Sequence, residues 1–355
     1  MRVLITGGAG FVGGNLAVGL AARHSDWEVV ALDNLHRRGS ELNLPRLRDA
    51  GVAFVHGDVR EPDDLAAAGG VDALVECSAE PSVLAGVDGS LDYLVKTNLL
   101  GAFTCLEACR RHDAQLIFLS TSRVYPVAHL SALSLDETET RFRLTDKQPL
   151  PGASAEGIAE SFPLDGARTL YGTTKLAAEH LIEEYAAAFG LSAVVDRFGV
   201  IAGPWQMGKI DQGVLAYWLL AHHFAQPFEY LGFGGSGKQV RDVLHVADVV
   251  DLVDRQLADP GGWAGAVVNV GGGLDRSVSL LELTELCREI TGKTTRVDAS
   301  GDDRPGDIPL YVTDSRHLFS LTDWRPAHTL QDVLGDLYEW IVANEEDLRR
   351  INAWA

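Results

Sequence analysis

Short apolar runs alternate with longer amphipathic stretches through the first half of the chain. The runs with strand character cover residues 2–6, 27–33, 52–58, 73–77, 115–121 and 192–197. Helical periodicity covers residues 10–23, 91–112 and 172–189. Apolar strands separated by helices are typical of a parallel sheet covered on both faces. The pattern therefore predicts an α/β protein built on such a parallel sheet.

The second half is less regular and richer in glycine, proline and aromatic residues. Residues 136–168 form a long polar insertion, and no clean linker separates two halves. We therefore expect a smaller, discontinuous domain built from segments that leave the sheet and return. The predicted division gives residues 1–198 to the domain that contains the sheet, with 238–270 returning to it. Residues 199–355 mainly form the second domain.

Charge narrows the classes of ligand. The 355-residue chain has a formal net charge of −20, which disfavours general binding to nucleic acid or anionic membranes. No apolar run reaches membrane-spanning length, and the strand pattern starts at once after Met1, so we expect a cytoplasmic protein. Any phosphate must be held by local groups such as helix N-termini or single arginines. The four cysteines have no metal-binding spacing, and we predict buried free thiols and no metal site.

A glycine-rich turn follows the first predicted strand. The segment TGGAGFVGGN places Gly7, Gly10 and Gly13 before a helix, and Asp33 ends the second strand. Such glycines permit a tight turn and close approach to a pyrophosphate, and an acid at the second strand suits the ribose hydroxyls of NAD. Arginines that follow Asp33 keep NADP open as the alternative. Asp58 ends the third strand, where it is either an adenine contact or a strand-end cap.

A second motif offers acid–base chemistry. Tyr171 and Lys175 lie four residues apart in TLYGTTKLAAEH, and therefore on one face of a helix. A nearby ammonium favours the phenolate and makes a tyrosine a usable base near neutral pH. Thr121 ends the fifth strand, and its hydroxyl could bridge Tyr171 and a substrate oxygen.

Together these motifs resemble the extended short-chain dehydrogenase/reductases, in the nucleotide-sugar epimerase and dehydratase group. The resemblance runs from TGGAGFVG to TDWRP. Within the group the chain is most similar to the CDP-paratose (CDP-tyvelose) 2-epimerases, through DNLHRRGSELNL, DETETRF, IDQG, GKQVRDVLHVAD and SVSLLEL.

The resemblance implies a Rossmann-type, doubly wound sheet in an NAD-binding domain of residues 1–198, and a smaller nucleotide-sugar-binding domain mainly of residues 199–355. It also implies an NAD-dependent epimerase of a nucleotide sugar, with a CDP-hexose favoured as substrate and a homodimer as the assembly. The implied catalytic residues are Thr121, Tyr171 and Lys175, with Asn98 as a structural residue behind them. Implied cofactor contacts are Gly7, Gly10, Phe11, Val12, Gly13, Asp33, Asn34, Asp58, Val59, Ala79, Asn98, Tyr171 and Lys175. Implied substrate contacts are Glu80, Ser122, Arg123, Arg241, Arg304 and Asp307. Of these, Arg241 and Arg304 would grip the pyrophosphate, for which a guanidinium is well suited.

Some positions depart from the family pattern. Glu76 and Glu80 replace residues of the usual strand-four segment, and Val200 stands where an Asn is often offered to the sugar. Glu80 is either an acid–base group or a solvent-facing strand end.

Rival functions differ in the residues they need. A 4,6-dehydratase carries an Asp-Glu pair after the catalytic Thr, whereas Ser122 and Arg123 follow Thr121 here. A reductase or decarboxylase of the same family is a further alternative. An NAD-sensing regulator on the same fold commonly lacks the Tyr/Lys pair.

Two other patterns mimic known sites. The segment 232–239 nearly fits a phosphate loop, but Gln239 stands where a Ser or Thr would hold Mg²⁺. We interpret it as a glycine loop bordering the sugar site. His222 and His223 are adjacent, which does not suit two metal ligands on one helix face.

Overall fold

The computed structural model describes residues 1–86, 90–207, 213–300 and 306–351. The chain divides into two compact units. The first comprises Met1–Thr121, Leu170–Arg197 and Val246–Val268. The second comprises Ser122–Thr169, Phe198–His245 and Asn269–Ala355, and is about as long as the first. Residues 122–169 and 238–245 thus group with the second unit, whereas the sequence pattern assigned them to the first domain. Contrary to the prediction, the second unit is also not the smaller of the two, because it includes these segments.

The described strands, in chain order, are β1 (Arg2–Thr6), β2 (Glu28–Asp33), β3 (Ala53–His56), β4 (Ala73–Glu76), β5 (Gln115–Thr121), β6 (Leu135–Glu137), β7 (Phe142–Leu144), β8 (Ala153–Ser154), β9 (Gly157–Ile158), β10 (Ala193–Phe198), β11 (Val200–Ala202), β12 (Phe228–Tyr230), β13 (Val240–His245), β14 (Ala266–Val270), β15 (Ser277–Ser279), β16 (Val297–Ala299) and β17 (Leu310–Tyr311).

The described α-helices are α1 (Phe11–Arg23), α2 (Asn43–Asp49), α3 (Pro62–Ala67), α4 (Asp92–Val95), α5 (Gly101–His112), α6 (Val127–Ser131), α7 (Leu170–Phe189), α8 (Val214–His223), α9 (Val246–Ala258), α10 (Pro260–Trp263), α11 (Leu280–Thr291), α12 (Arg316–Leu321), α13 (Leu330–Ala343) and α14 (Glu345–Ile351). A π-helical turn, Lys96–Leu100, joins α4 to α5.

Seven strands form one sheet in the order β14-β10-β5-β4-β1-β2-β3. The β1–β2, β1–β4, β2–β3 and β4–β5 pairs are parallel. The order reverses direction between β1 and β4, which is the topology of a doubly wound sheet. The predicted α/β class and Rossmann-type sheet are therefore confirmed. The predicted strands and long helices agree with the structure to within about two residues at each end.

Both faces of this sheet are covered by helices. On one face, alternate residues such as Leu74 and Phe118 form a buried cluster with Cys105 of α5 and Ala178 of α7. On the other, α1 packs against α9 so closely that a Cβ at Gly19 would lie 2.6 Å from Val250 Cγ1. Side chains alternate between faces along each strand, so every second residue of β4 and β5 points toward α5 and α7.

The second unit is built around β13. This strand pairs in parallel with β11 and β17 and antiparallel with β15. The long polar insertion contains two short antiparallel hairpins, β6–β7 and β8–β9. The first hairpin packs Phe142 against a small core that includes Val240 and Leu310. The sequence did not predict this contact, because the segment is mostly polar and only one face of the hairpin is apolar.

Candidate active site

The glycine turn between β1 and α1 is closely packed. Gly7 has a positive φ of 62°, and its carbonyl accepts a hydrogen bond of 2.9 Å from the Gly10 amide. A Cβ at Gly13 would lie 2.2 Å from the Gly7 carbonyl oxygen, so no larger residue fits there. Phe11 and Val12 begin α1 directly after Gly10, which has no side chain to cover the helix N-terminus. This bare, positively polarised turn fits the pyrophosphate of NAD.

Asp33, at the end of β2, is buried beside this turn. Its carboxylate accepts hydrogen bonds from the Ala9 amide at 3.0 Å and from the Leu35 amide at 2.7 Å. Burial raises the pKa of the Asp33 carboxyl, and these amides oppose that shift. The carboxylate therefore both braces the glycine turn and provides an acid where the ribose of NAD is expected.

Asp58 follows β3 and is held by a neighbouring arginine. Arg60 donates to both carboxylate oxygens, at 2.9 and 2.6 Å, and Asn34 donates to Oδ2 at 2.9 Å. The Arg60 hydrogen bond is the largest cause that lowers the Asp58 pKa to about 2. Val59 is buried, and Ala79 is half-buried in the loop after β4. Asn34 and Asp58, two predicted cofactor contacts, are thus brought together.

Helix α7 carries the predicted acid–base residues on one face. Tyr171 and Lys175 are separated by one helical turn, and both are buried. Thr121 is buried at the last position of β5. The next residue on this face is Glu179, another turn along the helix.

The Lys175 side chain ends beside a carboxylate that belongs to the sheet. Its Nζ lies 3.2 Å from Glu76 Oε2 and 3.9 Å from the centre of the Phe118 ring. Glu76 and Phe118 are register partners on β4 and β5, so they share the face toward α7. The sequence singled out Glu76 as an unusual carboxylate; the structure makes it the ion-pair partner of Lys175.

A second buried ion pair lies one turn further along α7, and the sequence analysis missed it. Arg197, on β10, donates to Glu179 Oε2 at 2.6 Å. The Ser120 hydroxyl also donates to the Glu179 carboxylate. The signal was present, since Glu179 continues the four-residue spacing of Tyr171 and Lys175.

Asn98 lies in the π-helical turn and joins two segments of the first unit. Its Oδ1 accepts from the Glu80 amide at 2.8 Å, and its Nδ2 donates to the Glu80 carbonyl at 3.1 Å. The same Nδ2 donates to Thr174 Oγ1 on α7 at 3.2 Å. The Glu80 carboxylate accepts from the Ser82 amide at 3.1 Å and lies in a loop, four residues past the end of β4.

Four of the predicted substrate contacts lie in the described part of the second unit. Arg241 donates to Asp307 Oδ1 at 2.9 Å, so these two are neighbours. Ser122 and Arg123 form a 3₁₀ turn, and Arg123 donates to the Gly306 carbonyl at 3.1 Å. Arg304 lies outside the described residues, as do three residues of the IDQG motif.

The structure explains the two patterns that mimic a phosphate loop and a metal site. Residues 232–237 lead into strand β13 rather than into a helix, so they are not a phosphate loop of the strand–loop–helix type. His222 Nδ1 is 2.7 Å from the Trp218 carbonyl, whereas His223 lies beside Tyr338 and Glu345. Within the described ranges, no three His, Cys, Asp or Glu side chains are grouped to hold a metal ion.

No helix in the described part of the chain is long and apolar enough to cross a membrane. Three cysteines, Cys105, Cys109 and Cys287, are buried free thiols, and Cys77 is partly buried.

Comparison with known proteins agrees with this geometry. Residues 3–271 match the model of the NAD dependent epimerase/dehydratase family. A CDP-paratose 2-epimerase from Salmonella typhi is 32% identical over 352 residues, covering 96% of this chain and 99% of that protein. A dTDP-glucose 4,6-dehydratase from Mycobacterium tuberculosis is 29% identical, and the match covers 97% of this chain and 94% of that protein.

A solved structure is similar over the same length. The UDP-glucose 4-epimerase of Thermus thermophilus, in complex with NAD, superposes with a TM-score of 0.76 at 27% identity. The match covers 96% of this chain and 99% of that one. The chain is therefore an enzyme of the nucleotide-sugar epimerase/dehydratase group, and it belongs to the NAD dependent epimerase/dehydratase family, with NAD as its cofactor.

Proposed function

We propose that this enzyme is an NAD-dependent epimerase of a nucleotide-activated sugar, and that it inverts C2 of a CDP-hexose. One observation carries the proposal of epimerase chemistry. Tyr171 and Lys175 lie one turn apart on the buried face of α7, and Thr121 ends the strand β5 that this helix covers. A base, a cation that favours its ionised form and a hydroxyl are the groups needed to deprotonate a sugar hydroxyl.

Each residue has a separate task in this proposal. Tyr171 removes the proton from the sugar hydroxyl and later returns it. Lys175 supplies the positive charge that favours the phenolate, and Thr121 orients the sugar oxygen by hydrogen bonding. NAD, when bound at the glycine turn, supplies a hydride acceptor and donor. Because the sugar is oxidised and then reduced, the reaction has no net redox change.

The residues after Thr121 favour epimerisation over dehydration. A dehydratase needs a further acid and base to eliminate water, and Ser122 and Arg123 are poor candidates for that pair. Arg123 is permanently charged, and it donates a hydrogen bond to the Gly306 carbonyl. We therefore favour epimerisation, and a 4,6-dehydratase is the nearest alternative activity.

The nucleotide part of the substrate is proposed from two arginines and from one relative. Arg241, with Arg304, is proposed to bind the pyrophosphate, which is common to all nucleotide sugars. Cytidine is favoured by the CDP-paratose 2-epimerase relative, at 32% identity. UDP-sugar epimerisation is the second candidate, since the Thermus thermophilus UDP-glucose 4-epimerase has a similar fold at 27% identity.

The proposal can be tested with a panel of CDP-, UDP-, GDP- and dTDP-sugars. We expect CDP-sugars to raise the melting temperature most, and NMR of the CDP-hexose product to show inversion at C2. A Tyr171→Phe variant is the matched control, because it should bind the same nucleotide sugar without converting it. A dehydrated keto-sugar product, or no conversion of any sugar, would contradict the proposal.

We further propose a cytoplasmic homodimer. Leu100, Phe103 and Phe189 are 49%, 44% and 59% exposed on neighbouring helical segments of the first unit. Apolar side chains of this size are candidates for an interface. Light scattering should give twice the monomer mass, and Phe103→Glu should shift it toward the monomer.

A further inference from the structure

The ends of three sheet strands carry polar side chains on the face that α7 covers. Along β4, Leu74 belongs to the apolar cluster and Glu76 follows it on the same face. Along β5, Ser120 similarly follows Phe118. Along β10, Arg197 follows Val195. The apolar core thus ends in a polar layer at the carboxyl edge of the sheet, where ligands bind in this topology.

Helix α7 pairs its own charges with this layer. Lys175 lies 3.2 Å from Glu76, and Glu179 lies 2.6 Å from Arg197. All four side chains are at most 7% exposed. A lone charge at such depth is strongly disfavoured, so each carboxylate compensates a cation that the site has buried.

We propose that Glu76 is a positioning residue for the reaction: as the counter-ion of Lys175 it holds the ammonium at the end of β4 and limits how much of its positive charge acts on the Tyr171 phenol. This inference rests on the proposed roles of Tyr171 and Lys175. It assigns Glu76 no contact with substrate, so Glu76 is not a catalytic base.

Among the described residues, few other charges face this pair from the elements packed around it. Burial raises the pKa values of the Cys77 and Cys105 thiols, which are therefore uncharged near neutral pH. Glu179 and Arg197 compensate each other. On the segment before α5, Lys96 is half-exposed and pairs with Asp92. Glu76 is therefore the main nearby negative charge that offsets the positive charge of Lys175.

The charges of Glu76 and Lys175 determine the direction in which the Tyr171 pKa should move when Glu76 is replaced. Burial raises the pKa of the Glu76 carboxyl, whereas the Lys175 ammonium and a hydrogen bond from the Ser78 backbone oppose that rise. While Glu76 is ionised, the pair presents little net charge to Tyr171. A Glu76→Gln change keeps the side-chain shape but removes the negative charge, so the ammonium acts on the phenol unopposed. The Tyr171 pKa should then fall by roughly one unit, and the tyrosine should ionise at a lower pH.

Two measurements test this. In cofactor-free protein, tyrosinate absorbance is titrated with and without Tyr171→Phe, and the difference isolates Tyr171. In the loaded enzyme, the acidic limb of kcat/KM against pH is compared. The midpoint of the Tyr171 titration and the acidic limb of kcat/KM should both move to lower pH by roughly one unit in Glu76→Gln. Neither should move in Glu76→Asp, which keeps the negative charge. Glu28→Gln is the matched control, because Glu28 is an exposed carboxylate at the start of β2 that pairs with Arg2.

Experiment can reject the proposed function and the proposed role of Glu76 independently of each other. If the wild-type enzyme converts no nucleotide sugar, the proposed function fails, but the absorbance titration still decides the role of Glu76. Ionisation of Tyr171 at an unchanged or higher pH in Glu76→Gln would overturn the inference. If that variant does not fold, Glu76→Gln with Lys175→Met should fold, since the unpaired charge is then gone; failure of both to fold would also overturn it.

Discussion

The Asn98 side chain hydrogen-bonds the Glu80 backbone through both ends of its amide, accepting from the N–H at 2.8 Å and donating to the C=O at 3.1 Å. It also donates to Thr174, which lies between Tyr171 and Lys175 on α7. Asn98 therefore fixes the loop after β4 against the helix that carries the proposed base. The structural role implied by the family resemblance has a geometric counterpart in these three bonds.

Replacement of the proposed base should separate turnover from binding. Tyr171→Phe removes one hydroxyl from a buried site, so we expect kcat to fall by about 10³-fold or more. Nucleotide-sugar affinity should stay within about tenfold of wild type, because the hydroxyl acts mainly in the transition state. Steady-state kinetics and calorimetric binding measure the two effects. Wild-type turnover in this variant would remove Tyr171 from the mechanism.

Asp33 should control the choice of cofactor. We expect the protein to purify with NAD, and Asp33→Asn to narrow its preference for NAD over NADP by roughly tenfold, because the lost charge repels a 2′-phosphate. The variant should also be less stable without cofactor, because the carboxylate accepts from two backbone amides. Fluorescence binding of NAD and NADP measures the preference. Release of no NAD(H) on denaturation, with tighter binding of NADP, would contradict the assignment.

Loss of a pyrophosphate contact should act on substrate binding first. Arg241→Gln removes a guanidinium, and we expect KM to rise at least about tenfold while kcat changes much less. Arg255→Gln is the control, since Arg255 forms an exposed ion pair with Asp251 on α9 and should leave KM unchanged. An unchanged KM in Arg241→Gln would give this residue a purely structural role, through its hydrogen bonds to Asp307 and to the Val240 and Ile308 carbonyls.

Asp196 should make stability depend on pH. Burial raises its pKa to about 7, although Gln256 donates to Oδ1 at 2.9 Å. A carboxyl with a raised folded-state pKa stabilises the fold below its unfolded pKa, and this contribution is lost as pH rises through the folded value. Between pH ~4 and ~7 the loss is on the order of 4 kcal/mol.

Asp196→Asn should remove that dependence. Urea unfolding at several pH values should show the variant gaining stability over wild type as the pH increases from acidic to slightly alkaline. Equal slopes of stability against pH for the two proteins would show that Asp196 is ionised in the fold.

The sequence predicted the sheet well because strands and helices of this class carry strong periodicity. Glycines at 7, 10 and 13 located the cofactor turn, since close packing leaves no room for larger residues. The partners of Lys175 and Glu179 were not predicted. Their pairing with Glu76 and Arg197 depends on which strands lie beside α7, and strand order is not visible in local spacing. Docking of the β6–β7 hairpin was missed for a different reason: the segment is mostly polar, and only one face of the hairpin is apolar.

We propose that the stereocentre inverts with Thr121, Tyr171 and Lys175 as the catalytic residues, and that the carbon-bound hydrogen is returned to the opposite face. The rival route oxidises a neighbouring carbon and uses Glu80 to remove a proton from the target carbon, which would then exchange with solvent. Epimerisation of a CDP-hexose in D₂O, followed by NMR of the product, separates them. We predict an inverted C2 without carbon-bound deuterium and near-wild-type turnover in Glu80→Gln; deuterium on carbon together with loss of activity in Glu80→Gln would contradict the account.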